Sequence, residues 1–205
     1  NASSTLRYPA WFDDKERIVE LEGEAYFAVS EQWSVAGDRS LCEKIPFLVK
    51  TKAQIVEVLG TEFNISAYPD DPETKTTLVE GKVNVSVKGS TPDRPPTTDH
   101  RPPITLKPGE QSISRGAIIE TKSVDVQQYT AWKNGDFRFS ATPLEEVLRQ
   151  LERWYDIDAD LDEVPDRKIH GVISRSRNLS AILLTIEKTS GITFKIEGRR
   201  LRIEQ

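Results

Sequence analysis

Alternating apolar and polar residues dominate the first half of the chain. Residues 61–67 and, from Val79 onwards, residues 79–87 place apolar or small side chains at every second position, with polar side chains between them. This period of two is typical of a β-strand with one buried face and one wet face. The polar stretch 69–75, which includes two aspartates and two prolines, favours a turn. The pattern therefore predicts an antiparallel hairpin over 55–87.

Two glycines interrupt the apolar runs of this hairpin. Gly60 follows Leu59, and Gly81 follows Glu80. An isolated glycine inside a strand marks a bulge or the close approach of another backbone segment. Residues 17–29 alternate in the same way, and further short strands are predicted at 47–49, 53–59, 104–106, 111–113 and 117–120. Together these segments predict an all-β antiparallel sandwich or roll.

The period of the apolar residues changes after Lys122. Residues 123–134 show no clean period and are interpreted as a linker. The sequence Thr-Pro-Leu-Glu at 142–145 has the form of a capping box with proline at the first helical position, and an apolar stripe at helical spacing follows it. A second helix is predicted over 179–189, with Gly191 as its C-cap.

These two helical segments belong to an internal repeat. Apolar residues recur 35 positions apart, in the pairs Leu144 and Leu179, Leu148 and Leu183, Leu151 and Ile186, and Ile157 and Ile192. In the same way, Phe137 corresponds to Val172. Each unit is a strand, a helix and a strand, and a final strand at 201–203 closes the chain. The sequence thus predicts two domains: a β domain at 1–122, followed after the linker by an α+β domain at 135–205 with two helices between small sheets.

Composition and charge limit the chemistry that the chain can perform. The 205 residues carry a net charge of −5 at pH 7, which argues against nucleic acid as a partner because phosphate binding needs a basic surface. No apolar run is long enough to span a bilayer, and Cys42, the single cysteine, cannot form an internal disulfide.

Candidate catalytic or metal-binding residues are few. His100 and His170 have no spaced partner for a metal site or a catalytic triad. The acidic run 156–162 lacks the glycine and the final glutamate of an EF-hand loop, so it is interpreted as a solvated strand edge. We therefore predict no enzyme activity, no cofactor and no metal site.

Residues 88–103 differ from their surroundings because they contain five prolines. Proline is excluded from sheet interiors and disfavours helices. The stretch is predicted to be an exposed loop between two strands. A polyproline recognition segment is the alternative.

The order of several motifs resembles the periplasmic part of FecR-type anti-sigma regulators. In the β domain these motifs are Val-Leu-Gly-Thr-Glu-Phe-Asn-Ile at 58–65, Leu-Val-Glu-Gly-Lys-Val at 78–83 and Leu-Lys-Pro-Gly-Glu at 106–110. The second domain is similar to the small secretin/TonB N-terminal-type domain and to the C-terminal part of FecR-type proteins of the Bacteroides kind. The positions that match are Trp132, Gly135, Phe137, Pro143, Leu144, Val147, Leu148, Leu151, Trp154, Tyr155 and Gly171.

The resemblance implies a function and a location. It implies the periplasmic sensor region of a single-pass inner-membrane anti-sigma regulator, with an upstream transmembrane helix and a cytoplasmic segment that holds an ECF-type sigma factor. It also implies a signal from the signalling domain of an outer-membrane TonB-dependent transporter. We therefore expect an export or membrane segment upstream of residue 1.

The predicted docking surface lies on the second domain, because small sheets present edges that another chain's strand can join. We expect the final strand to be such an edge, with Arg200 and Arg202 guiding the approach of the partner. The candidate partner-binding residues are Lys168, His170, Val172, Arg200, Leu201, Arg202 and Ile203. Two other functions stay open: a structural module of a periplasmic assembly such as a secretion ring, and a carbohydrate-binding module, for which the pattern shows no evident exposed aromatics.

Overall fold

The computed structural model describes residues 1–12, 15–35, 42–87, 102–162 and 164–204. These residues form two compact units: unit 1 comprises Ser3–Val126 and unit 2 comprises Gln127–Gln205. Within the described ranges, no helix has both the length and the apolar character that crossing a membrane requires.

Unit 1 is built from strands. They are β1 (Thr5–Arg7), β2 (Arg17–Val29), β3 (Trp33–Val35), β4 (Cys42–Lys44), β5 (Phe47–Lys50), β6 (Gln54–Val58), β7 (Thr61–Ala67), β8 (Thr74–Glu80), β9 (Val83–Val87), β10 (Ile104–Leu106), β11 (Glu110–Arg115) and β12 (Ile118–Ser123). Strands β3 and β4 form a separate hairpin.

The main strands follow one hydrogen-bonded path in the order β10-β9-β6-β5-β2-β7-β8-β11-β12, and β1 pairs with β2. This path folds into two layers because β2 belongs to both. Its beginning, Arg17–Glu20, pairs in parallel with β5, and its end, Gly23–Val29, pairs antiparallel with β7. Apolar residues from both layers, such as Val49 and Phe63, are fully buried in one core. Unit 1 is therefore a β-sandwich, as the alternating pattern predicts.

Glycines lie where strands pass from one layer to the other. Gly23 divides β2, with a φ of +100°, and a Cβ atom there would lie 2.7 Å from Ser4 Cα. Gly81 separates β8 from β9 with a φ of +92°, and its Cβ atom would lie 2.7 Å from Gly60 O. Only glycine fits a left-handed backbone at such short distances. The prediction that Gly81 marks a close backbone approach is confirmed.

The predicted hairpin over 55–87 is present as a bent two-stranded ribbon. Strands β7 and β8 pair in one layer, and β6 and β9 pair in the other. The prediction that Val79 lies on the buried face is wrong: Leu78 is fully buried and Val79 only partly. The left-handed backbone at Gly81 shifts the alternation by one residue between the two halves. The predicted wet face is also partly wrong, since Asn64 and Tyr68 are buried.

Unit 2 combines helices with two small sheets. Its elements are α1 (Val126–Thr130), a 3-10 helix (Ala131–Asn134), β13 (Asp136–Pro143), α2 (Leu144–Tyr155), β14 (Asp158–Ala159), β15 (Lys168–Ser174), α3 (Leu179–Ser190), β16 (Thr193–Glu197) and β17 (Arg200–Glu204). Strands β13 and β15 form an antiparallel sheet. The second sheet has the order β14-β17-β16, with β14 parallel to β17.

The repeat is visible in this topology. The first strands of the two 35-residue repeats, β13 and β15, pair with each other. The second strands of the repeats, β14 and β16, both pair with β17. Helices α2 and α3 pack against strands of both sheets around a single core. Gly191 is the C-cap of α3, with a φ of +73°. These features confirm the predicted repeat of the helices, the fold class and Gly191 as the C-cap of the second helix.

Two local predictions in unit 2 are wrong. Thr142 does not cap α2: it is buried in β13, where its Oγ1 accepts hydrogen bonds from Ser140 N at 3.1 Å and Gln128 Nε2 at 3.2 Å. Pro143 occupies the N-cap position. Val172 is not equivalent to the buried Phe137, because Val172 is 58% exposed.

Two further predictions concern the linker at 123–134 and the proline-rich stretch at 88–103. Within the predicted linker 123–134, residues 126–134 are helical. Residues 88–101 of the proline-rich stretch, including His100, lie outside the described residues, so the loop interpretation stays a prediction.

Candidate docking site

The candidate docking residues fall into two groups in different sheets. Lys168, His170 and Val172 lie on β15, in the two-stranded sheet. Residues 200–203 lie on β17, in the three-stranded sheet. Because both helices pack between strands of the two sheets, the two groups do not form one continuous surface.

The β15 group presents its side chains to solvent. Lys168 and His170 are exposed, as is Val172, which is a large apolar residue to leave in water. Ile169, between the first two, is 4% exposed and belongs to the core. The alternation of a half-buried strand therefore places all three candidates on the outer face of the sheet.

Hydrogen bonds beyond each end of β15 fix the direction of its backbone groups. Leu144 N–H donates to Arg167 O at 2.8 Å, and Arg175 N–H donates to Gly135 O at 2.8 Å. In an antiparallel pair, residues that bond to the partner strand alternate with residues that point away from it. Counting from either bond gives the same assignment along β15.

By this assignment, Ile169, Gly171 and Ile173 bond to β13, each opposite a registered partner. The backbone N–H and C=O groups of Lys168, His170 and Val172 point to the outer edge. The three candidates thus combine exposed side chains with outward-pointing backbone groups, in a strand that contains no proline.

The opposite edge of the same sheet, along β13, is irregular. The register shifts between Phe139 and Thr142, and Ala141 lies there with a φ of +50°. Ala141 N–H donates to His170 Nδ1 at 3.2 Å, and Pro143 has no N–H to donate. A bulge and a proline are features that prevent further strand pairing, so β13 is a poor edge.

The prediction that the last strand is an edge is wrong. β17 is the central strand of its sheet, because β16 pairs along its length and the two-residue β14 pairs with Arg200 and Leu201. Leu201 is 2% exposed, so it cannot contact a partner in this fold. Ile203 is partly buried against the same core.

The outer edges of this three-stranded sheet are each closed by a glutamate from a helix. Glu152 Oε1 of α2 accepts a hydrogen bond from Ala159 N at 3.1 Å, and Glu187 Oε1 of α3 accepts one from Phe194 N at 2.8 Å. Both N–H groups point away from β17. The sequence analysis missed these glutamates, although the repeat offset of 35 residues relates Glu152 to Glu187 and Ala159 to Phe194.

Internal ion pairs engage the arginines of β17. Arg200 pairs with Asp160 at 3.3 Å, and Arg202 pairs with Glu197 at 3.8 Å. Lys195 also pairs with Glu197 at 3.1 Å, and its hydrogen bond lowers the pKa of that carboxyl. Since neighbouring carboxylates balance both arginines, a guiding role for Arg200 and Arg202 has little electrostatic support.

Several positions of the family motif meet in an arginine–aromatic cluster. The Arg175 guanidinium lies 4.3 Å from the centre of the Phe137 ring and 4.8 Å from that of Trp154. Trp154 Nε1 donates to Arg175 O at 3.2 Å, and Tyr155 OH donates to Arg177 O. Burial raises the pKa of Tyr155. These contacts attach the loop before α3 to α2 and give the motif a structural role.

Unit 1 contains a row of polar side chains on strands β2 and β7. Tyr26 OH donates to Glu62, and Asn64 Nδ2 donates to Glu24 Oε1 at 2.8 Å. Burial, the hydrogen bond to Glu62 and the charges of Glu62 and Glu80 raise the pKa of Tyr26 to about 12. The row is a stabilising network of side chains.

Unit 1 also exposes aromatic side chains that the pattern did not reveal. Trp11 is 88% exposed and Tyr8 is 68% exposed.

In the acidic run, Asp158, Asp160 and Asp162 line an open groove with Arg200. Across the described ranges, no group of three or more His, Cys, Asp or Glu side chains could hold a metal ion.

Comparisons with known proteins match both units. Residues 1–84 match the family described as "FecR protein", and residues 136–203 match "FecR, C-terminal". Two crystal structures of candidate anti-sigma factors from Parabacteroides distasonis ATCC 8503 are similar over 100% of this chain. They show 33% and 32% identity, cover 88% and 87% of the chains compared, and have TM-scores of 0.80 and 0.79. No curated protein matches the chain. The chain therefore belongs to the FecR family of anti-sigma regulators.

Proposed function

We propose that this chain is the periplasmic sensor region of a membrane-anchored anti-sigma regulator. It receives a signal from the signalling domain of an outer-membrane TonB-dependent transporter. It relays that signal through an upstream inner-membrane helix to a cytoplasmic segment that holds an ECF-type sigma factor. The observation that carries the proposal is the match of both units to FecR models, in the order that the family resemblance implies.

The properties of the two units fit a binding role. Unit 2 exposes a strand edge with an apolar side chain. We assign docking to unit 2. Of the candidate residues, Lys168, His170 and Val172 are accessible for contact, and Arg200 and Arg202 remain secondary candidates.

A binding and reporter experiment tests this proposal. The signalling domain of the transporter encoded beside the sigma-factor gene is titrated with the intact chain by calorimetry. In parallel, a promoter fused to a reporter measures sigma-factor activity in cells that carry Val172→Glu in the full-length regulator. We expect saturable binding, and a reporter that no longer responds to the transporter's substrate in the variant. The absence of binding by a folded signalling domain would refute the transporter relay.

A carbohydrate-binding module is the second candidate function, because Trp11 and Tyr8 are exposed and aromatic rings stack on sugars. Titration of soluble peptidoglycan fragments into the chain and into a Trp11→Ala variant distinguishes a carbohydrate-binding module from a sensor that binds only protein. Binding that Trp11→Ala abolishes would favour this second function. The structural-module alternative predicts binding to neither probe.

A further inference from the structure

The described residues of unit 2 form four outer strand edges, and three of them carry a feature that hinders strand pairing. Glu152 binds the outward N–H of Ala159 on β14, and Glu187 binds that of Phe194 on β16. The third edge, along β13, is interrupted by the bulge at Ala141 and by Pro143. Natural proteins use such devices to stop edge strands from pairing with other chains.

The fourth edge, along β15, carries none of these devices. Its outward N–H groups belong to Lys168, His170 and Val172, and no described backbone or side-chain acceptor binds them. The side chains of the same residues are exposed. We propose that β15 is a strand-addition site, at which an extended segment of the partner joins the β13–β15 sheet through backbone hydrogen bonds. This inference rests on the proposed function, because it names the binding mode of the docking partner.

The outer face of β15 also specifies the chemistry of the added strand. Cross-strand neighbours on one face contact each other, and opposite charges or apolar pairs stabilise the pairing. A carboxylate opposite Lys168 would stabilise the pairing. A β-branched or aromatic residue opposite the exposed Val172, four positions from that carboxylate on the added strand, would stabilise it further. The segment 168–174 contains no acidic residue. A second copy of this chain would therefore offer Lys168 no opposite charge, so the occupant is a different protein with an acidic and apolar strand.

Amide hydrogen exchange measured by NMR on the intact chain tests the mode of binding. The partner is added either as the transporter's signalling domain or as a five-residue peptide, Val-Val-Thr-Thr-Glu, designed to pair antiparallel with β15. We expect the amides of Lys168, His170 and Val172 to become protected with either partner. The amides of Ile169 and Gly171, already bonded to β13, are expected to change little. This alternation of changed and unchanged amides is the signature of strand addition.

Charge exchange provides the matched control. Lys168→Glu is expected to weaken binding of the glutamate peptide by roughly two- to fivefold, which corresponds to one cross-strand charge pair. The same variant is expected to bind better than the parent to a peptide in which lysine replaces glutamate. Lys195→Glu, on the outer face of the closed sheet, is expected to leave binding of both peptides unchanged.

The outcomes separate this inference from the proposed function. If the signalling domain binds but the three outward amides stay unprotected, strand addition at β15 is refuted and the transporter relay stands. If the signalling domain does not bind while the peptide protects the three amides, the strand-addition site stands and the relay fails. Protection that depends on protein concentration alone, with a dimer in analytical ultracentrifugation, would overturn the assignment to a different protein. Protection by neither partner refutes the site.

Discussion

Replacing Gly81 with alanine tests the claim that the sandwich of unit 1 depends on a backbone crossing. Gly81 has a φ of +92°, and an added Cβ atom would lie 2.7 Å from Gly60 O and 3.2 Å from Thr61 Cα. These neighbours are backbone atoms of the adjoining strand, which cannot rotate away as the end of a side chain can.

Gly109 supplies a matched control for this substitution. Its φ of +85° is close to that of Gly81, but no atom lies within 4 Å of its added Cβ. Gly109→Ala should therefore lose only the conformational term, about 1–2 kcal/mol for a left-handed residue. Gly81→Ala should lose that term together with about 1–3 kcal/mol for overpacking against the backbone. We expect a total of about 2–5 kcal/mol for Gly81→Ala.

The slowest-exchanging amides of β7 and β9 report the free energy of unfolding of unit 1, without interference from unit 2. Their exchange rates are measured for the parent chain and for both variants under conditions where opening is reversible. A larger loss for Gly81→Ala than for Gly109→Ala supports the argument. Equal losses in the two variants would show that the close approach of Gly60 does not constrain the fold, and the reasoning would be wrong.

Three further predictions concern single interactions and the independence of unit 2. Glu187→Ala should speed exchange of the Phe194 amide at least tenfold and cost about 1–2 kcal/mol, whereas Glu187→Gln keeps the acceptor; unchanged exchange in the alanine variant would contradict the cap. Because its folded pKa is raised to about 12, Tyr26 should contribute stability that is complete below about pH 10 and is lost as the pH rises towards 12. Tyr26→Phe should therefore flatten the pH dependence of the unfolding free energy between about pH 10 and 12, and a slope equal to that of the parent would show that Tyr26 does not cause the loss of stability. A fragment of residues 127–205 should melt cooperatively and at a higher temperature than 135–205, because the 3-10 helix packs on β13; a random-coil spectrum for both would refute it.

Periodicity predicted much of the fold because burial acts on every second residue of a strand and on one stripe of a helix. The hairpin over 55–87, both long helices and the repeat follow from such patterns. The error at Val79 has a physical cause. The prediction assumed that buried and exposed positions alternate without interruption from Val79 to Val87. The left-handed backbone at Gly81 interrupts this alternation, so that the buried apolar positions are even-numbered before it in β8 and odd-numbered after it in β9. The glycine was visible in the sequence, but its dihedral angle was not.

The errors in unit 2 come from competition between local and long-range hydrogen bonds. Thr142 has the sequence context of an N-cap, yet its hydroxyl accepts from Ser140 N–H and thereby supports the bulge in β13. The bulge also explains why Val172 is not equivalent to Phe137. β13 contains an irregular residue and runs directly into α2, whereas residues 175–178 separate β15 from α3. A fixed offset of 35 positions therefore holds for the helices and fails for the first strands.

The candidate docking residues show how much of the exposed surface of unit 2 the sequence predicts. Exposure of Lys168, His170 and Val172 follows from alternation alone, because Ile169 must face the core. The central position of β17 did not follow, because the pattern predicts a strand in the acidic run but does not show which strand it pairs with. The parallel pairing of β14 with Arg200 and Leu201 places β17 between β14 and β16.

The repeat itself explains why one edge differs from the others. In each 35-residue repeat, a glutamate on the helix accepts a hydrogen bond from a backbone N–H on the second strand. The same contact therefore occurs at both outer edges of the three-stranded sheet. The first strands have no equivalent cap, because their helices begin directly after β13 or after the loop that follows β15. β13 is instead blocked by its bulge, whose Ala141 N–H is bound by His170. His170 thus contributes a side chain that holds the blocked edge and a backbone N–H at the accessible one. A partner strand that joined β15 would therefore contact a residue whose side chain holds the irregular segment of β13 that leads into α2.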